Sequence, residues 1–392
     1  MTNGVAQNEW SIERAARVAL IVGAAGALAA LVGALFNTTQ FFRSYLFAYI
    51  FWLTIPVGSL AVLMLHFVVG GRWGVMIRRL LEAATRTLPL IALLFIPLLF
   101  GLGAVYPWAA ANHVTGDPVM AHKAGYLNAP FYIVRAVLYL GLWSTLAFFL
   151  NRWSLQQDQE TDPGAGKRLR RLSGPGLLIF LLTVTFASFD WLMSLEPHWY
   201  SAGYGLQWVV NHGLTAFAFA IVALSLLGGR DPFVGRLSAQ HFHDLGNLLF
   251  AFVLLWAYMQ YAQFHIIWSG NLPHSIPWYI RRSAGLWGWM ALGLAIFHFA
   301  VPFFLLLMRH IKRNSNVLLW VASGILVMRL FDTFWMIVPS FEHPDGALHW
   351  LDFALIAGIG GLWLALFLWQ LEKRPLLPLR EPLLLEENTA HG

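Results

Sequence analysis

Long apolar stretches alternate with short polar segments along almost the whole chain. Each stretch has about 20 residues or more, enough for a helix rising about 1.5 Å per residue to cross a bilayer core of about 30 Å. The segments between the stretches are short and leave no room for a separate soluble domain. The pattern predicts an all-α membrane protein of ten transmembrane helices. The predicted spans are 16–36, 46–69, 88–110, 130–151, 174–194, 206–228, 245–268, 284–308, 316–338 and 351–371.

Four short matches recur in the same order in the two halves of the chain. Residues 130–135 (PFYIVR) open the fourth span and residues 277–282 (PWYIRR) open the eighth, with identity at four of six positions. The fifth span ends in Phe-Asp at 189–190, and the ninth ends in Phe-Asp at 331–332. Leu-Leu-Phe and Gly-Gly-Arg motifs supply the other two matches. Because each match is weak alone, we rely on their common order.

We interpret these matches as a duplication of spans 2 to 5 as spans 6 to 9. Four is an even number, so the two four-helix bundles form a parallel repeat, flanked by spans 1 and 10. The single integral membrane domain, 1–392, then has four parts. They are a tail with the first span (1–43), the first bundle (44–200), the second bundle (201–340) and the last span with its tail (341–392).

Composition and charge agree with this interpretation and add an orientation. Hydrophobic residues make up 58% of the chain and charged residues 11%, whereas an average soluble domain has about 25% charged residues. Of the 25 Lys and Arg residues, 19 lie in segments on the N-terminal side of the predicted membrane. The positive-inside rule therefore predicts that both termini are cytoplasmic. The basic residues are spread over loops, so we expect no nucleic-acid partner.

The residue types limit which cofactors the chain itself can hold. There is no Cys, so an iron–sulfur cluster or covalent haem is excluded. Non-covalent haem needs two facing histidines, and His66 with His298, or His212 with His265, lie at similar predicted depths. These pairs lack the double spacing on one helix that is typical of a dihaem bundle. We therefore assign no metal site and expect redox centres in partner subunits.

Ionisable residues inside the spans are the main candidates for chemistry, because a charge in the membrane core costs at least about 2.5–3.5 kcal/mol. Arg135 and Asp190 are predicted at matching depth near the outer ends of the fourth and fifth spans. The repeat places Arg282 and Asp332 in the same way, and Arg329 lies one turn from Asp332. We predict one Arg–Asp pair in each bundle. Such a pair either locks neighbouring helices together or carries protons beside a quinone; snorkelling of the arginines is a third possibility.

Further polar residues suggest where protons and a quinone could enter. His243 and Asp244 cluster at the inner start of the seventh span, which indicates either a proton entry or a solvated helix start. Glu196, beyond Asp190, could pass a proton outward. Tyr261 and His265 on the seventh span are candidate quinone contacts, although hydrogen bonds between helices explain them equally well.

Three motifs resemble a known family. Residues 186–199 (FASFDWLMSLEPHW), 128–132 (NAPFY) and 266–273 (IIWSGNLP) are similar to the NrfD-like membrane subunits of alternative complex III, a quinol:cytochrome c oxidoreductase. The resemblance implies ten helices in two four-helix bundles and a place in the bacterial inner membrane. It also implies partners with iron–sulfur clusters and multihaem cytochrome c, together with a paralogous membrane subunit and lipids.

The resulting expectation is a membrane subunit that anchors redox subunits and contributes to proton translocation or quinone interaction, without activity of its own. Two other interpretations remain open at this stage. A secondary transporter also combines parallel repeats with buried charges. A purely structural scaffold would use the charges only to hold its helices together.

Overall fold

A computed structural model describes residues 11–110, 117–159, 164–341 and 348–378. Within these ranges the chain is helical and has no strands, and ten helices are long and apolar enough to cross a membrane. The predicted all-α membrane fold is thereby confirmed. The spans are α1 Ile12–Phe36, α2 Thr38–Val69, α3 Arg72–Phe100, α4 Ala129–Asp158, α5 Ala165–Leu195, α6 Tyr204–Leu227, α7 Ala239–Gly270, α8 Gly285–Leu307, α9 Ser315–Ser340 and α10 Trp350–Glu372. Residues 1–10 of the predicted N-terminal tail, and 379–392 of the C-terminal tail, lie outside the described residues.

Local sequence explains where several helices begin. The Asn128 side chain accepts a hydrogen bond from the backbone N–H of Phe131 at 3.0 Å, and Pro130 stands in the first turn of α4, where its missing N–H costs nothing. Asn314 caps α9 in the same way, accepting from Val317 at 3.2 Å. In these two spans the polar residue before the apolar stretch therefore fixes the start of the helix.

The helices pack as two bundles in contact. In the first bundle α2 packs against α3 and α5, and α4 packs against α5; in the second, α6 packs against α7 and α9, and α8 packs against α9. Each neighbour pair in the first bundle thus has a counterpart in the second. The bundles meet where α2 crosses α6, and a Cβ at Gly58 would collide with the backbone of His212. These two central helices are the most buried spans.

The flanking spans α1 and α10 pack against each other outside the bundles. Their interface is built from small residues, and a Cβ at Gly23 or Gly361 would collide with the opposing backbone. Close backbone approach of this kind is typical of helix association in lipid. The α10 helix is also fastened to α2, because Nε1 of Trp52 donates to the carbonyl of Ile356 at 2.9 Å.

Two spans differ from the predicted regular helices. α3 begins at Arg72, well before the predicted residue 88, and consists of Arg72–Thr85 followed by Leu88–Phe100. α8 contains a π-helical segment, Leu294–Ala300, between two α-helical parts. We call the side predicted to be cytoplasmic the inner side and the opposite side the outer side.

Candidate functional site: two buried carboxylates

The first bundle holds Asp190 in a buried ion pair with Arg135, as predicted. Nε and Nη2 of Arg135 each donate to one carboxylate oxygen at 2.8 Å, and the Tyr139 hydroxyl donates to Oδ2 at 2.8 Å. Arg135 also donates to the carbonyl of Tyr126 at 3.0 Å, and its guanidinium lies 3.8 Å from the centre of that ring. Asp190 is 1% exposed and Arg135 6%. Both charges are therefore removed from lipid with their hydrogen bonds satisfied.

Asp332 of the second bundle is also buried beside an arginine, but not the one that the repeat predicts. Arg329, three residues earlier on α9, donates to Oδ2 of Asp332, and its Nε donates to Thr215 of α6 at 3.2 Å. The predicted pairing of Arg282 with Asp332 is wrong. The reason is an interruption of the helix. Arg282 lies on a separate helix, Ile276–Ser283, and α8 starts only at Gly285.

Arg282 instead joins the two bundles. Its Nη1 donates to Oε1 of Glu196 at 2.8 Å, and its Nη2 donates to the carbonyl of Met336 at 2.8 Å and to Ser340 at 2.7 Å. Arg281 reaches the other oxygen of Glu196 at 3.3 Å. Because Glu196 directly follows α5 and Arg282 precedes α8, this ion pair ties the outer end of one bundle to the other.

Two side chains of α7 complete the surroundings of Asp332. Gln260 donates to Oδ1 at 3.1 Å, and Nε1 of Trp256 lies 3.4 Å from Oδ2, a long hydrogen bond. On the far side of the indole, His298 packs with ring centres 4.1 Å apart. Neither ring nitrogen of His298 has a hydrogen-bond partner among the described residues, although the side chain is fully buried.

His298 belongs to the π-helical segment of α8. Such segments are rare and often occur at functional sites, because the extra residue in the turn changes where side chains point. A buried imidazole without partners costs free energy, which a purely structural helix would avoid by using an apolar residue. Trp256, which contacts the second carboxylate, therefore also packs against a polar group whose hydrogen-bonding capacity is unused within the described part of the chain.

A pocket of about 710 Å³ opens between α7 and the segment that leads into α8. Trp256 and Gln260, which both contact Asp332, form part of its wall, and Arg282 borders it. The rest of the wall is mainly apolar and aromatic. Tyr258 and Tyr261 stand at the rim, each 64% exposed. Such a cavity combines an apolar body with a few polar groups, as ligand sites commonly do.

The two predicted quinone contacts are placed differently. Tyr261 lines the pocket, and His265 does not. The His265 ring stacks on Tyr261 with centres 5.6 Å apart and an angle of 15° between the rings. His265 is exposed on the outer side of α7, so it adjoins the pocket only through Tyr261.

The predicted proton entry is a polar cluster at the inner end of α7. Nδ1 of His243 lies 3.6 Å from Asp244 and 3.4 Å from Asn247, and Lys312 donates to Asn247 at 2.7 Å. His243 and Asp244 are half-buried. Twelve residues of α7 separate Asp244 from Trp256, a distance of about 18 Å along the helix. The cluster is thus not in direct contact with Asp332.

A polar cavity of about 530 Å³ lies at the outer side between the bundles. Glu196, the predicted outward acid, forms part of its wall together with Arg281 and Ser340. On the same wall, Nε2 of His198 lies 2.7 Å from Asp117. Desolvation raises the pKa of the Asp117 carboxyl, but hydrogen bonds from the backbone N–H groups of Met120 and Val119, together with the His198 imidazole, outweigh it and hold this pKa below the usual value.

A buried ion cluster at the inner end of the first bundle was not expected from the sequence. Arg78 and Arg79 fall in the predicted loop between the second and third spans, but both are at most 2% exposed and lie on α3. Arg78 donates to Glu82 at 3.0 Å, while Arg79 pairs with Glu82 and with Asp158 of α4. Ser154 accepts from Arg78 at 2.8 Å. The i, i+3 and i, i+4 spacing of these charges was the available signal, since it neutralises them within one helix.

The histidines weighed as haem ligands face unlike surroundings. His66 packs against Trp73, whereas His298 packs against Trp256. His212 is buried, and its Nδ1 lies 2.8 Å from the carbonyl of Trp208; the other member of that pair, His265, is exposed. Within the described ranges, no three His, Asp or Glu side chains converge as metal ligands do.

In comparisons with known proteins, no family model and no curated protein matches this chain.

Proposed function

We propose that this chain is a membrane subunit, the second of two large ones, in a quinol:cytochrome c oxidoreductase of the alternative complex III type. It anchors subunits that carry the redox centres, and Asp332 exchanges protons during quinol oxidation. The observation that carries this proposal is that Trp256 and Gln260 both contact Asp332 and line the pocket between α7 and α8. Only the Trp256 or Gln260 side chain would separate a quinol ring in that pocket from the Asp332 carboxylate.

The chemical surroundings of Asp332 support a role in proton exchange. A carboxylate in the membrane core is costly, so its retention needs compensation, and among the side chains that the structure describes one cation and two neutral donors supply it. Gln260 and Trp256 donate to the ionised form, and after protonation of Asp332 its carbonyl oxygen can still accept while Gln260 can turn its amide oxygen toward the new O–H. Asp332 can therefore change its charge by rearranging neutral donors, which is what a proton-exchanging group requires.

The pocket suits a quinol in shape and polarity. Its walls are mostly hydrocarbon and aromatic, and two of its few polar groups, Gln260 and the Trp256 indole, contact Asp332. Oxidation of one quinol releases two electrons and two protons. The electrons must pass to centres on partner subunits, because the chain contains no Cys for a cluster or covalent haem. The two protons, in contrast, can be taken up by side chains of this chain.

The decisive experiment compares Asp332→Asn with Asp190→Asn in the purified complex. We expect Asp332→Asn to lower quinol turnover at least tenfold or to reduce the protons released per electron. Asp190→Asn should alter assembly more than turnover in the complexes that form. If the assembled Asp332→Asn complex matches the parent in turnover and proton release, proton exchange at Asp332 is excluded.

A structural scaffold is the second candidate, and one observation favours it. The Arg282–Glu196 ion pair links the bundles, and Arg135–Asp190 links α4 to α5, as expected of charges that only hold helices together. The scaffold hypothesis predicts that a charge-preserving exchange, Arg135→Asp with Asp190→Arg, gives an assembled and active complex. Loss of activity in an assembled complex would contradict it.

A further inference from the structure

A second apolar groove runs along the face where α1, α6 and α10 meet, on a different wall of the protein from the pocket beside Asp332. Its volume is about 840 Å³. The lining is almost wholly hydrocarbon, from residues such as Val18, Val22 and Leu226, which are each about half exposed. Arg14 is the one charged residue among those that line it within the described ranges.

The floor of the groove is rigid. Trp52 is fixed by its hydrogen bond to Ile356, and its ring lies 5.5 Å from that of Trp363. Phe219 packs edge-on against Trp363 at 5.3 Å. A Cβ at Gly360 would collide with the Trp52 ring, so the depth of the groove depends on this glycine. Because Phe219 and Trp363 are buried and Trp52 is held against Trp363, the groove exists before anything binds to it.

The dimensions of the groove match one leaflet of a bilayer. Its α1 wall extends from Arg14 to Val22, about 12 Å of helix, and its α10 wall from Ile356 to Leu371 is about 22 Å long. Half of a hydrocarbon core is about 15 Å. The Arg14 end lies at the inner end of α1 and of α10. The single charge therefore stands at headgroup level while the apolar walls extend toward the bilayer centre.

We propose that this groove binds one anionic phospholipid of the inner leaflet, with an acyl chain along α10 and its phosphate paired with Arg14. Charge complementarity carries the choice of occupant. A positive charge at the mouth of an otherwise apolar groove is neutralised best by the phosphodiester of an anionic lipid, whose headgroup carries no cation of its own, and a quinone or a neutral apolar molecule offers no phosphodiester. The nearest acid on the same helix, Glu13, is already paired with Arg17 at 3.2 Å.

The test uses the full chain in nanodiscs of phosphatidylglycerol and phosphatidylcholine in equal amounts, with identical acyl chains. After mild detergent extraction, native mass spectrometry counts the lipids that remain bound. We expect one retained phosphatidylglycerol on the parent chain. Ala357→Trp, which places an indole in the groove, should remove it. Arg14→Ala should lower the preference for phosphatidylglycerol over phosphatidylcholine about fivefold.

Two matched variants separate the groove from the general lipid surface. Ala25→Trp adds the same indole to an exposed position of α1 outside the groove, and Arg170→Ala removes an exposed charge from the inner part of α5, also outside the groove. Neither should change the count or the preference. The proposal fails if Ala357→Trp retains as many lipids as Ala25→Trp, or if Arg14→Ala and Arg170→Ala behave alike. None of these outcomes bears on Asp332, so the proposal is independent of the proposed function.

Discussion

The two bundles have the same helix packing, but the hydrogen-bond partners of their buried carboxylates differ. Asp190 receives a two-pronged arginine from a neighbouring helix and a tyrosine hydroxyl, all at 2.8 Å. Asp332 receives an arginine from its own helix, one amide and one long indole contact, with an unpartnered histidine behind the indole. The first arrangement links two helices through charge-assisted hydrogen bonds. In the second, the imidazole that packs on Trp256 has no partner in the part of the chain that the structure describes, and we therefore propose a structural role for Asp190 and proton exchange for Asp332.

The largest effect should come from removing each arginine. Arg135→Met leaves Asp190 buried without a cation and should lower the free energy of unfolding by about 3–5 kcal/mol. Arg329→Met should cost clearly less, because Asp332 keeps Gln260 and Trp256 and can become protonated. Unfolding in mixed detergent and SDS measures both. Equal losses would remove the proposed difference between the bundles.

The next effect concerns access of quinol to Asp332. Gln260→Leu removes the amide that joins the pocket wall to the carboxylate, and it should raise the KM for quinol about tenfold in the assembled complex, equivalent to about 1.4 kcal/mol. The control is Tyr139→Phe, which removes the neutral donor to Asp190. Steady-state kinetics with a soluble quinol analogue give the answer. A similar KM for both variants would argue against the pocket as a quinol site.

A smaller effect distinguishes polar groups on the corresponding helices α4 and α8. His298→Leu replaces an unpartnered imidazole and should raise the free energy of unfolding by about 1 kcal/mol while slowing turnover. Asn151→Leu should lower that free energy by a similar amount, because Asn151 donates to Thr85 and to the Ala147 carbonyl, both at 2.9 Å. Thermal unfolding followed with turnover separates the cases. A destabilised His298→Leu variant would mean that the imidazole has a structural partner.

The smallest effect is expected at the outer surface. The pKa of Asp117 is depressed, so its ionised form stabilises the start of the helix Pro118–Lys123 above its usual pKa of about 3.9, and this contribution is lost as the pH falls through the depressed value. Pepsin cleavage near this helix should therefore increase between about pH 4 and pH 2. Asp117→Asn should show no such increase beyond the change in pepsin activity. An equal increase in both proteins would assign the change to other groups.

Much of the candidate site follows from sequence where the chain is locally regular. Arg135 and Asp190 lie on uninterrupted helices, so counting residues from the span ends placed them at matching depth and their contact followed. The same counting gave a wrong partner for Arg282, because the helix is interrupted between Ser283 and the start of α8, and the two halves lose their common register there. The counting also gave a wrong position for Arg78 and Arg79. Charged residues lower the mean hydropathy of a segment, so the segment is predicted as a loop even where Glu82 on the same helix face neutralises them.

The ten spans and the internal repeat can be predicted from the sequence, because spans depend on the thickness of a bilayer and a repeat on local order along the chain. The charge pairs of the second bundle, in contrast, are visible only in the folded protein. Arg282 turned to Glu196 and Asp332 to Arg329, and the π-helical segment brought His298 against Trp256. Pairing energies depend on distances of a few ångströms between helices, and hydropathy along one chain carries no information at that scale.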